Sequence, residues 1–123
     1  MELKSQFKSI RSFIGAKDFE ESRSFYKDLG FLETVLSTNM SVFKVDEKLS
    51  FYLQKAYVKD WVDNSMLFLE VDNLENYLTA LKSKELTKKY FNVKLSEIVV
   101  NKWGKEFFLH DPSGVLWHIG SFY

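Results

Sequence analysis

The stretch that decides the fold is EFFLHDPSGVLWHI, residues 106–119, which holds both histidines of the chain and its only proline. Two runs rich in aromatic and branched apolar side chains flank Asp-Pro-Ser-Gly. Asp at i, Pro at i+1 and Gly at i+3 suit a type I turn. The segment is therefore predicted to be a hairpin turning at residues 111–114. If those four residues close the turn, His110 pairs with Val115, Leu109 with Leu116, Phe108 with Trp117 and Phe107 with His118. Directly opposed residues point to the same side of a sheet. Phe107, Leu109, Leu116 and His118 are thus expected on one face. Phe108, Val115, Trp117 and Ile119 form the other, an apolar face suited to covering helices. His118 then points away from the helices.

Upstream, SVFKVDEKLSFYLQ (residues 41–54) has the same form, two short runs about the polar turn Asp46-Glu47-Lys48. The helix starts repeat too. Asp18-Phe19-Glu20-Glu21 and Asp72-Asn73-Leu74-Glu75 each place Asp three residues before Glu after an apolar run, a capping-box arrangement. Phe19, Phe25, Tyr26 and Leu29 share one helical face, and Gly30 is placed to end that helix. Leu74, Tyr77, Leu78 and Leu81 keep the same spacing in the second. The caps are 72 − 18 = 54 residues apart and the turns 111 − 46 = 65, so the second half carries about eleven extra residues. The Lys-rich KSKELTKKY (residues 82–90) is expected to absorb them as a solvated helix end. KAYVKDWVDN (residues 55–64) is expected to be the crossover loop. Each half therefore comprises a strand, a helix and about three strands, making an α+β chain of two βαβββ repeats at about 8–56 and 64–123 in a single domain.

The alternation that turns His118 inward groups Ser50 with Tyr52 and Gln54, Met66 with Phe68 and Glu70, and Arg11 with Phe13 and Gly15. Polar residues thus lie opposite the helices in each strand, and a curved sheet of this kind encloses a partly polar cavity. Aromatics reach 17% of the 123 residues, more than a core of this size needs. A net charge of zero argues against nucleic acid or an anionic membrane as partner. The absence of Cys removes disulfides, thiolate nucleophiles and thiolate metal sites. No run approaches a membrane span and the first residues lack an apolar leader segment, so a cytoplasmic protein is expected.

AKDFEESRSFYKDLGF, LEVDNLENYLTAL and FFLHDPSGVLWHI together resemble the vicinal oxygen chelate superfamily, which includes glyoxalase I, extradiol dioxygenases and bleomycin-resistance proteins. Asp63-Asn64, Trp103-Gly104-Lys105-Glu106-Phe107 and His118 bring the likeness nearest to the bleomycin-resistance-like proteins. The resemblance implies two chains paired with ligand clefts at their interface. It also places metal ligands, in the catalytic members, at positions that here hold Arg11, Met66, Tyr52 or Gln54, and His118. Arg cannot ligate a cation, and the Met thioether is unsuited to hard or borderline divalent ions. One good ligand remains where at least three are needed. No cofactor or metal is therefore expected. Trp103 matches the family residue that stacks on a planar drug.

The function expected is metal-independent sequestering of a small aromatic or amphipathic molecule by a homodimer. Its cleft would be formed from Trp103, His118, Arg11, Tyr52, Gln54, Met66, Phe68 and Phe107. The alternative is a glyoxalase-like metal-dependent lyase or isomerase with a displaced site using Glu70 and His118.

Overall fold

The computed structural model describes residues 6–123. The first half runs β1 (Phe13–Gly15), α1 (Phe19–Asp28), β2 (Leu32–Ser37), β3 (Met40–Asp46) and β4 (Leu49–Gln54). Its sheet has the order β1-β4-β3-β2, with β1 parallel to β4. After α2 (Lys59–Asn64) the second half follows: β5 (Met66–Glu70), α3 (Leu74–Ser83), α4 (Leu86–Lys89), β6 (Lys94–Leu95), β7 (Val99–Val100), β8 (Gly104–His110) and β9 (Leu116–Phe122). Its order is β5-β9-β8-β6, with β7 also on β8 and β5 parallel to β9. Strands β6 and β7 are two pieces of one interrupted partner of β8, so both halves are built on βαβββ.

Local chemistry sets the helix ends. Asp18 caps α1 by accepting from the Glu21 N–H at 3.0 Å. Gly30, at φ +99°, ends it: its N–H bonds to Lys27 C=O and the Phe31 N–H to Tyr26 C=O. This is the double closure that a left-handed glycine permits. The cap of α3 is Asn73, whose side chain accepts from the Asn76 N–H, and not the expected Asp72. The reason lies in the preceding strand: Val71 N–H still bonds to Gly120 C=O, which leaves Asp72 in the exit from the sheet. The true offset between caps is thus 73 − 18 = 55. The expected crossover loop is also partly helical, because Val62 is buried and anchors α2 against the core.

The terminal hairpin departs from its predicted register by one residue. Gly114 N–H bonds to Asp111 C=O, as a type I turn requires, but Gly114 itself then adopts φ +103° and Asp111 N–H pairs with Val115 C=O. A type I turn followed by a left-handed glycine makes a three-residue loop. His110 consequently pairs with Leu116, Leu109 with Trp117, Phe108 with His118 and Phe107 with Ile119. A one-residue slip moves every side chain of one strand to the other face. Phe107 and Leu109 therefore join Val115, Trp117 and Ile119 in the core, and Phe108 shares the face of His118.

The helix-facing sides of both sheets, with α1 and α3, form one hydrophobic cluster. Tyr26 of α1 reaches across it. Its hydroxyl donates to Asp111 Oδ2 at 2.6 Å and accepts from Trp117 Nε1 at 3.0 Å. Asp111 Oδ1 meanwhile accepts the N–H groups of Ser113, Gly114 and Val115, all at 2.9 Å. The turn is thus tied to a helix of the other half. Where the second half is longer, α4 takes up the extra length. It buries Leu86 while Lys82, Lys88 and Lys89 pair with Glu97, Glu85 and Asp28.

Candidate ligand-binding site

With the core on the helix side, each sheet turns its other face outward. On the first sheet, Phe13 stacks on Tyr52 with ring centroids 4.6 Å apart. Arg11 donates to the Tyr52 hydroxyl at 3.3 Å, with its guanidinium 5.7 Å from that ring. Gln54 follows Tyr52 on the same face, half-buried.

The second sheet repeats this arrangement with different chemistry. Phe68 and His118 occupy the positions equivalent to Phe13 and Tyr52 and are register partners across β5 and β9. Their rings are nearly parallel, with centroids 6.4 Å apart. Phe68 also lies 5.8 Å from Trp103 and 5.8 Å from Phe122, and Trp103 lies 5.1 Å from Phe122. These three rings form an aromatic cluster at one end of the sheet face, each at least one-third exposed. Gly120 makes the arrangement possible, since a Cβ there would lie 2.7 Å from the end of the Phe68 ring. Trp103 is held at its backbone, where its carbonyl accepts the Tyr123 N–H at 3.2 Å. It is both a loop anchor and a displayed ring.

His118 faces Phe108, in a T-shaped contact at 5.2 Å, and not Phe107 as the sequence suggested. Its Nδ1 lies 2.9 Å from Glu106 Oε1. The other oxygen of Glu106 accepts from Asn101 Nδ2 at 2.9 Å. His118 Nε2 is closed off from solvent and finds no hydrogen-bond partner among the described residues. Phe107 is fully buried on the helix side against Tyr77, so it leaves the candidate set. Glu106, Phe108, Phe122 and Asn101 enter it. Phe122 was legible, since it follows His118 and Gly120 at strand spacing; Glu106 and Phe108 were hidden by the slipped register.

Met66 lies exposed at the start of β5, two residues before Phe68 on the same strand. Glu70, at the far end of that strand, lines a separate cleft of about 390 Å³ with Asp46, Asp72 and Tyr77. Among the described residues no three His, Cys, Asp or Glu side chains gather to hold a metal ion. The residues at the positions that the resemblance gives to metal ligands do not make a divalent-cation site: Arg11 is itself cationic and Met66 is a soft donor, which leaves His118 without co-ligands among the described residues. The described rings and polar groups thus fall into two sets, Arg11, Phe13, Tyr52 and Gln54 on one sheet, and Met66, Phe68, Trp103, Phe108, His118 and Phe122 on the other. No ring contact joins them among the described residues.

No family model matches the chain and no curated protein matches it. Solved structures do. A bleomycin-binding protein from Streptomyces verticillus, complexed with copper(II)-bleomycin, superposes with a TM-score of 0.78 at 16% identity, over 95% of this chain and 98% of that one. TnmS3, an antibiotic binding protein from Streptomyces sp. CB03234, gives 0.73 at 14% identity over 95% and 98%. Lactoylglutathione lyase from Agrobacterium tumefaciens gives 0.66 at 12% identity over 94% of each. The chain has the fold of the vicinal oxygen chelate superfamily. Its two βαβββ halves match in fold the bleomycin-binding structure named above. No helix of the described residues is long and apolar enough to cross a membrane.

Proposed function

We propose that the protein binds and sequesters a small aromatic or amphipathic molecule without a metal, in a cleft completed by a second copy of the chain. The observation that carries this reading is the displayed cluster of Phe68, Trp103 and Phe122 beside His118 on the outward sheet face. Apolar rings on a sheet face opposite the core lose hydration only when something covers them. The first-half set of Arg11, Phe13 and Tyr52 supplies a second flat wall with a cation, suited to close the cleft from the partner copy. Likeness in fold to bleomycin- and antibiotic-binding proteins supports the reading. A planar ligand would stack on Trp103, with Phe68 and Phe122 giving further area; stacking adds about 0.5–1.5 kcal/mol beyond burial.

The test is binding of planar aromatic compounds to protein treated with chelator, read by tryptophan fluorescence and thermal shift. Trp103→Ala should weaken binding at least tenfold, about 1.4 kcal/mol, and His118→Gln several-fold, with the fold retained in both. A stoichiometric divalent ion in native protein that His118→Gln loses would replace this reading with the glyoxalase-like lyase.

A further inference from the structure

We infer that His118 is the cleft's hydrogen-bond acceptor, and that the ligand is a planar aromatic carrying an N–H or O–H donor on its ring. This inference rests on the binding reading above and names the chemistry it selects. Asn101 Nδ2 can only donate and is 2.9 Å from Glu106 Oε2. That bond fixes the carboxylate, whose other oxygen lies 2.9 Å from His118 Nδ1. A carboxylate only accepts, so Nδ1 must carry the hydrogen. In the neutral ring Nε2 is then a bare lone pair.

The two nitrogens lie on opposite sides of the imidazole. Nδ1 faces Glu106 of β8, Phe108 meets the ring edge-on at 5.2 Å, and Phe68 of β5 lies nearly parallel to it at 6.4 Å. Nε2 has no partner among the described residues and is shielded from solvent. A buried acceptor without a partner is costly, and a ligand that brings a donor removes that cost. A ligand of the same shape without a donor does not, so the site discriminates between them as sites built around a hydrogen bond do. Phe68, half exposed and seated over Gly120, joins the aromatic cluster to His118: its ring belongs to the cluster and lies nearly parallel to the imidazole at 6.4 Å. Asn101 and Glu106 are positioning residues: they act through the tautomer of His118.

The experiment compares 2-naphthol with 2-methoxynaphthalene, which has the same ring system but no donor, by titration of the full chain. 2-Naphthol should bind about tenfold more tightly. Glu106→Gln supplies the second readout. Asn101 donates to the new amide's oxygen, which leaves its NH₂ facing His118 Nδ1, so the hydrogen moves to Nε2 and the site becomes a donor. In that variant the preference should fall to unity or reverse toward the methoxy compound, a change that simple loosening of the loop would not produce. Equal binding of both probes to the native protein, with Trp103 fluorescence quenched, would overturn the acceptor inference while leaving the aromatic cleft standing. Failure of both probes to bind at millimolar concentration would overturn the two together. An unchanged preference in Glu106→Gln would refute the roles of Asn101 and Glu106.

Discussion

Tyr26→Phe tests how the two halves are pinned together. The variant keeps every ring contact of Tyr26, with Phe25, Phe31, Phe43, Phe51 and Trp117, and removes one oxygen. Two buried groups lose that partner, Asp111 Oδ2 and Trp117 Nε1. A hydrogen bond to a carboxylate contributes about 1.5–3 kcal/mol, and an orphaned buried donor costs about 1–2. The expected loss at pH 7 is therefore about 2.5–5 kcal/mol, a large part of the roughly 5–15 typical of a domain (about 0.1 kcal/mol per residue). Urea unfolding should show it as a lower midpoint with an unchanged slope. Burial pushes the Asp111 carboxyl up to about 6 against the pull of its four donors. The folded state thus holds this proton more tightly than the unfolded chain, and the stability this group contributes declines as pH rises from 3.8 to about 6. Loss of the Tyr26 donor raises the carboxyl further, so the deficit of the variant should be larger at pH 7 than at pH 4. Tyr77→Phe is the comparison, since that hydroxyl makes no hydrogen bond among the described residues; it should change stability by no more than about 0.5 kcal/mol. Equal losses in the two variants would refute the pin.

Two further outcomes follow from single contacts. Arg23, Ser41 and Lys27 hold the Glu33 carboxyl below its ordinary range, so the stability it contributes is present above pH 4.5 and is lost as pH falls through its depressed folded value. Glu33→Gln should flatten the acid limb of stability below about pH 4.5 and leave its slope above pH 6 unchanged, as read by thermal melts. Gly120→Ala places a methyl 2.7 Å from the Phe68 ring and 3.1 Å from the Lys105 carbonyl. It should cost about 1–3 kcal/mol by overpacking and weaken binding of a planar probe by moving Phe68.

Much of the fold was legible because its signals are local. Asp18 and Gly30 mark the ends of α1 with residues whose chemistry fits those positions, and the repeat of cap, helix and hairpin placed both halves. The errors arose where one residue of spacing decides the outcome. Asp72 and Asn73 are both competent caps, and only the length of the β5–β9 pairing selects Asn73. Pro112 and Gly114 announced a type I turn, but the left-handed glycine after it added a residue to the loop and turned β8 over. Grouping within β9 was unaffected, so His118 was placed on the correct face with the wrong neighbour. Its partner Glu106 was invisible for the same reason. That the two sheets share their core on the helix side, with their polar faces outward, is a tertiary fact that alternation within strands does not encode.

If each cleft joins the first-half face of one copy to the second-half face of another, two variants damaged on different faces should complement each other. Arg11→Glu damages only the first face and Trp103→Ala only the second. Each variant alone should bind a planar aromatic probe poorly. Unfolded together at equal concentration and refolded, they form mixed pairs in which one cleft combines two intact faces. Random pairing then predicts recovery of about a quarter of the native binding sites at native affinity, from particles sedimenting at twice 14.5 kDa. No recovery from the mixture, or full binding by particles of 14.5 kDa, would contradict the account.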